Sequence, residues 1–138
     1  MTGLPAIGCV SVLLAVGCGT PAAPAADNEQ RLAEIDSRFT SGDFERVQRE
    51  AREYVQEYPR SFKGWSLLGW TYVKLDELDV ANECFDKSLD LNPQWDNAHV
   101  GKGVIYRSQG DNASARKCYL EAIRILPENP EAFASLLG

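Results

Sequence analysis

Charge is missing from the start of this chain. Residues 1–26 hold no Asp, Glu, Lys or Arg, and all 14 Lys and Arg lie between Arg31 and Arg124. Histidine is scarce too, with His99 the only one. Its one carboxylate at helical spacing, Asp96, suits a capping or first-turn role better than metal or acid–base work. There is no Ser/His/Asp or Cys/His arrangement, no paired His ligands and no Gly-rich phosphate loop. The expectation is therefore no enzyme, no metal, no cofactor and no small-molecule substrate. A basic excess is also lacking: the net charge is −6, which argues against a nucleic-acid partner, since phosphate binding needs a basic face. The 4 cysteines include no C-x-x-C, which removes the usual zinc and redox readings. The longest apolar run, Ile7 to Gly17, is too short to span a bilayer.

What is present is a helical pattern with a long period. Trp65, Leu68 and Tyr72 fall at i, i+3 and i+7 and share one helix face. Ala81, Phe85, Ser88 and Leu89 do the same on a second helix. Gly69 and Ala81 are small, as required where the two helices cross closely, and are expected to face each other. Asp76-Glu77-Leu78-Asp79 separates the helices, and Asn92-Pro93 ends the second, because proline cannot continue a helix. Pro59, Pro93 and Pro127 stand 34 residues apart. Gly42-Asp43, Asp76-Glu77 and Gly110-Asp111 keep that spacing, as do Val47, Ala81 and Ala115, and Ala51, Phe85 and Tyr119.

The W-x-x-L-G-x-x-Y…A-x-x-x-F…P pattern at Trp65, Leu68, Gly69, Tyr72, Ala81, Phe85 and Pro93, with its 34-residue period, resembles the tetratricopeptide repeat. That resemblance implies an all-α, right-handed solenoid of helical hairpins. The units are residues 28–61, 62–95 and 96–129, followed by a short helix over 130–138 that either caps the array or begins a further repeat. Cys84 and Cys118 occupy equivalent sites on successive second helices. Equivalent atoms stand about 10 Å apart at helix-packing distance, beyond the reach of a disulfide, so both are expected to be free thiols.

Residues 1–18 read as an export leader. Leu14-Ala15-Val16-Gly17-Cys18 resembles a bacterial lipoprotein signal, in which the Cys becomes the lipidated N-terminus. Two departures stand beside that likeness: Ala15 occupies the place usually held by Leu, and Met1–Ile7 has no basic residue. The alternatives are an ordinary cleaved signal or an apolar tail. Residues 19–27, small and proline-punctuated, suit a flexible tether. On this reading the protein sits in the cell envelope, facing the periplasm, anchored to the membrane by lipid on Cys18. The alternative is a cytoplasmic interaction module.

The family's first helices line a concave groove for a peptide or helix of another protein. By register, the groove should present Glu29, Leu32, Asp36 and Phe39; then Lys63, Ser66, Leu67, Trp70 and Lys74; then Asn97, Val100, Val104 and Arg107. Trp70 lies off the stripe of Trp65, Leu68 and Tyr72, so it is expected to be a binding anchor and Trp65 a core residue. Co-chaperone relatives grip acidic chaperone tails with Lys, Asn and Arg on these faces. Here those places hold Leu32, Asp36, Ser66, Trp70, Val100 and Val104, so that use is not carried over. The function implied is a non-enzymatic adaptor or scaffold of the cell envelope, of the kind that serves outer-membrane or pilus assembly. The alternatives are a soluble module or an accessory domain of an enzyme complex.

Overall fold

The computed structural model describes residues 25–138. The stretches expected to be a leader and a tether, Cys18 included, lie outside them up to residue 24. Seven helices are present among the described residues: α1 Ala25–Ser41, α2 Phe44–Glu57, α3 Phe62–Lys74, α4 Leu78–Leu91, α5 Asp96–Ser108, α6 Asn112–Ile125 and α7 Pro130–Leu137. No strand occurs among these residues. Residues 31–138 form one compact unit; before it lie the opening turns of α1. The helices form three hairpins and a final helix, a helical-hairpin solenoid of the tetratricopeptide type.

Two kinds of turn alternate, and the period explains both. Within each hairpin the chain reverses through one residue in the left-handed region: Gly42 at φ 91°, Asp76 at φ 61° and Gly110 at φ 84°. Glycine enters that region freely, whereas an L side chain meets its own carbonyl. The next residue caps the second helix. Asp43 accepts from the Arg46 amide and Asp111 from the Ser114 amide, while Glu77 makes no side-chain cap bond. Between hairpins each proline sits second in a four-residue turn. The closing bonds run from Ser61 N–H to Tyr58 C=O at 3.0 Å, Trp95 to Asn92 at 3.1 Å and Asn129 to Leu126 at 3.0 Å. Proline favours that place because its φ is already set.

The core runs along the helix seams. Val47, Ala81 and Ala115 are buried, as are Ala51, Phe85 and Tyr119. Glycine makes room for the rings. A Cβ on Gly69 would stand 2.8 Å from Phe85 Cε1, one on Gly101 2.3 Å from Phe85 Cζ, and one on Gly103 2.4 Å from Tyr119 Cε1. Gly69 therefore faces the Phe85 ring rather than Ala81, which corrects the expectation above. The small residue is needed for the aromatic ring of the opposing helix. Phe85 lies between Gly69 of its own repeat and Gly101 of the next, so one side chain joins two hairpins.

Candidate interaction surface

The first helices of the second and third repeats are locked side by side. Asn97 Oδ1 on α5 accepts from Ser66 Oγ and from Trp70 Nε1 on α3, each at 2.7 Å. The Trp70 ring meets Phe85 edge-on at 5.6 Å and packs against the apolar clusters on both sides of the seam. Ser66 is 2 % exposed, Leu67 8 % and Val100 1 %. These three predicted groove residues are interior, and Trp70 is built into the seam as well as showing at the surface. The reason is geometric. A helix in a stack faces its hairpin partner and also the next repeat, so its buried arc is wider than one amphipathic stripe.

Of the remaining predicted residues, Lys63 and Lys74 are exposed, and Asn97 and Val104 partly so. Arg107 is exposed, but it lines a cleft with α6 and α7, its guanidinium 6.0 Å over the Tyr119 ring. On α1, Asp36 is exposed, while Phe39 stacks edge-on against Phe44 at 5.4 Å.

Trp65 is less buried than its place in the stripe implied. It is only partly buried at the edge of the core, with Nε1 donating to the Pro59 carbonyl at 2.9 Å and the Lys87 ammonium 4.4 Å from its ring centroid. His99, 34 residues later, makes the same contact: Nε2 lies 3.0 Å from the Pro93 carbonyl. A carbonyl can only accept, so Nε2 is the donor in this contact. His99 thus makes a structural contact at the repeat boundary. Asp96 accepts from Asn129 Nδ2 at 2.6 Å, tying the start of α5 to the start of α7.

Several titratable groups are held by packing or ion pairs. Cys84 and Cys118 are free thiols. Burial raises both, Cys84 to about 11, so neither is a thiolate at neutral pH. Burial pushes the Glu50 carboxyl up, but bonds and charges from Arg46 and Arg38 outweigh this and hold it below its ordinary value. Arg38 donates to it from α1 at 3.0 Å and Arg46 from α2 at 2.9 Å. Lys102 on α5 pairs with Asp86 on α4 across the seam. Among the described residues no group of three or more His, Cys, Asp and Glu could hold a metal ion, and no helix is long and apolar enough to cross a membrane.

Comparison with known proteins agrees with this geometry. The family pattern described as tetratricopeptide repeat matches residues 62–95, and that described as TPR repeat matches residues 103–136. Rat intraflagellar transport protein 70A2 is 32 % identical over 105 residues, 74 % of this chain and 14 % of that protein. The Arabidopsis thaliana probable UDP-N-acetylglucosamine–peptide N-acetylglucosaminyltransferase SEC is 34 % identical over 97 residues, 70 % of this chain and 10 % of that protein. The chain thus spans about a seventh or less of the length of these curated relatives. Among solved structures, the first TPR of Spaghetti (RPAP3), bound to the HSP90 peptide SRMEEVD, superposes with a TM-score of 0.74 at 16 % identity, over 86 % of this chain and 94 % of that one. The Yersinia enterocolitica type III secretion translocator chaperone SycD gives a TM-score of 0.74 at 13 % identity, over 85 % and 94 %. The chain carries tetratricopeptide repeats, a fold that is generally a non-catalytic module for protein–protein interaction.

Proposed function

We infer that this chain is a non-enzymatic adaptor that holds a peptide or helix of another protein along α3 and α5, in a bacterial cell envelope, tethered by lipid on Cys18. The observation that carries the reading is the Ser66–Asn97–Trp70 bridge. It fixes two first helices before any partner arrives, and a preformed surface spends less free energy on ordering. Trp70, Asn97 and Val104 show in part on that surface, and Lys63 and Lys74 stand exposed on α3 beside them. A segment with one apolar side chain flanked by Asp or Glu fits this chemistry. The acidic HSP90 peptide on the Spaghetti domain supports peptide binding by the fold; the Lys, Asn and Arg clamp is absent here, so a different segment is expected. The envelope location rests on the leader, and a role in outer-membrane or pilus assembly rests on architecture alone.

The test is capture from envelope extracts with the wild-type chain and with Lys63→Glu/Lys74→Glu. The reading expects one or a few specific proteins on the wild type, lost on the variant with unchanged melting. Equal capture by both would sink the surface assignment. Cys18→Ser should leave the protein in the soluble fraction, and fractionation with membranes as before would refute the anchor. A second reading, an accessory domain of a larger enzyme, is favoured by the likeness to part of the Arabidopsis transferase. It predicts capture of a catalytic chain.

A further inference from the structure

Three positions recur in each repeat at the junction of its hairpin. In the first they are Phe39, Phe44 and Gln48; in the second Val73, Leu78 and Asn82; in the third Arg107, Asn112 and Arg116. The first set packs an aromatic pair, Phe39 against Phe44. In the second, Val73 and Leu78 pack on the core and Asn82 Oδ1 is buried beside them. The third replaces the apolar pair with Arg107 and Asn112 and the amide with a second guanidinium, and the packing opens. A cleft of about 250 Å³ remains between α5, α6 and α7, lined by Arg107, Asn112 and Arg116 with Tyr119, Ser135 and Leu136.

The charged side chains lining this cleft are two guanidiniums, and no Asp or Glu lines it. Arg31, Arg38, Arg46 and Arg124 each pair with a carboxylate; among the described residues Arg107 and Arg116, like Arg49, Arg52 and Arg60, are in no such ion pair, but only Arg107 and Arg116 line this cleft. The nearby Asp111 carboxylate is committed to capping α6 through the Ser114 amide. The Tyr119 ring is buried under Arg107, and its hydroxyl makes no hydrogen bond of ordinary geometry, although Ser135 stands near enough to bear on its ionisation. Guanidinium groups bind oxyanions with paired N–H donors. The volume lies below the usual range for cofactors and drug-sized ligands, so it suits one small group.

We propose that the cleft between α5, α6 and α7 is an oxyanion site, built by Arg107 and Arg116 with Asn112 and Ser135 over the Tyr119 ring, and taking one carboxylate or phosphate. Neither Lys63 nor Lys74 lines it, so it is tested separately from the surface proposed above. The anion comes from one of two sources: a free ion, or an acidic side chain of a bound peptide.

The experiment is amide and arginine Nε–H NMR on the full chain at low ionic strength. It is titrated with inorganic phosphate, with acetate, and with acetyl-Ala-Glu-Ala-amide against its Gln counterpart. Saturable shifts confined to Arg107, Asn112, Arg116, Tyr119 and Ser135 are expected, weakened at least about tenfold by Arg107→Ala/Arg116→Ala with unchanged melting. They should fade as salt rises. Phosphate binding without peptide binding identifies a free-ion site; a Glu peptide that shifts these residues where the Gln peptide does not identifies a side-chain site. Arg107→Lys/Arg116→Lys keeps the charge and should restore binding only in part, since paired donors are lost. The proposal is overturned if none of the probes gives a saturable shift there, or if the shifts survive the double alanine variant.

Discussion

The seam between the second and third repeats and the seam between the third repeat and α7 use the same positions differently. In the first, Phe85 lies between Gly69 and Gly101, Trp70 closes over it, and Asn97 ties the two first helices together. In the second, the equivalent ring is Tyr119. It presses on Gly103 but has Ser135 where the earlier seam has Gly101, and a cleft stays open beside it. α7 also shows Phe133 and Leu137 to solvent, at 45 % and 89 %. A solenoid seam is therefore decided by what stands opposite the second helix's aromatic ring. Glycine on both sides lets the repeats close, and a Cβ with a hydroxyl, beside two guanidiniums, does not.

The comparison breaks first at Phe85. Phe85→Ala should cost about 3–5 kcal/mol by urea unfolding, the range for a buried aromatic, and should couple the second and third repeats less tightly. Tyr119→Phe, at the open seam, should cost far less, because it leaves the packing intact. A comparable loss at both places would mean the two seams are closed alike.

Trp70 is next. It spans both apolar clusters and donates a hydrogen bond, yet part of it is exposed, so Trp70→Ala should cost about 2–4 kcal/mol, near the lower end for a large aromatic. Trp65→Ala, partly buried and packed on one cluster only, should cost about 1–2 kcal/mol. Thermal melts of the two variants rank them. The opposite ranking would restore Trp65 to the core and return Trp70 to the surface.

The hairpin turns offer a change in the stabilising direction. Asp76 sits in the left-handed region where the other repeats use glycine, and Glu77 fails to cap where they use Asp. Asp76→Gly should stabilise by about 1 kcal/mol, and Glu77→Asp by about 1 kcal/mol through the missing cap. A denaturation midpoint that does not rise in the double variant would show that the second hairpin's turn is not the weak one.

The smallest effect is acid sensitivity. The Glu50 carboxyl is held below its ordinary value. A carboxyl shifted this way contributes stability above its unfolded pKa, about 4.3, and loses it as pH falls through the folded value. Comparison of wild type and Glu50→Gln at pH 7 and near pH 3 should find the wild type losing slightly more on acidification. Parallel losses would mean the Arg38 and Arg46 contacts do not matter in solution.

Much of the fold was legible because the repeat states it three times. Prolines, turn residues and buried small–large pairs recur at 34, and each has one physical job. The contact of His99 with the Pro93 carbonyl follows from its place 34 residues after Trp65. Trp70 was not, because a stripe reads a helix against one partner while a stacked helix has two. Gly69 was assigned to Ala81 because small residues suggest each other, whereas glycine here accommodates a ring from the opposing helix. The cationic cleft left a signal that went unused: laying the repeats over one another shows Phe39, Val73 and Arg107 at one position, and Gln48, Asn82 and Arg116 at another.

The central claim is that Trp70 and Asn97 lock neighbouring repeats into one preformed surface. A double-mutant cycle between Trp70→Phe, which keeps a ring and removes the N–H, and Asn97→Ala measures this directly by equilibrium urea unfolding. A coupling of about 1 kcal/mol, the worth of one partly buried hydrogen bond, is the expected result. Additive losses, with no coupling beyond about 0.3 kcal/mol, would contradict it.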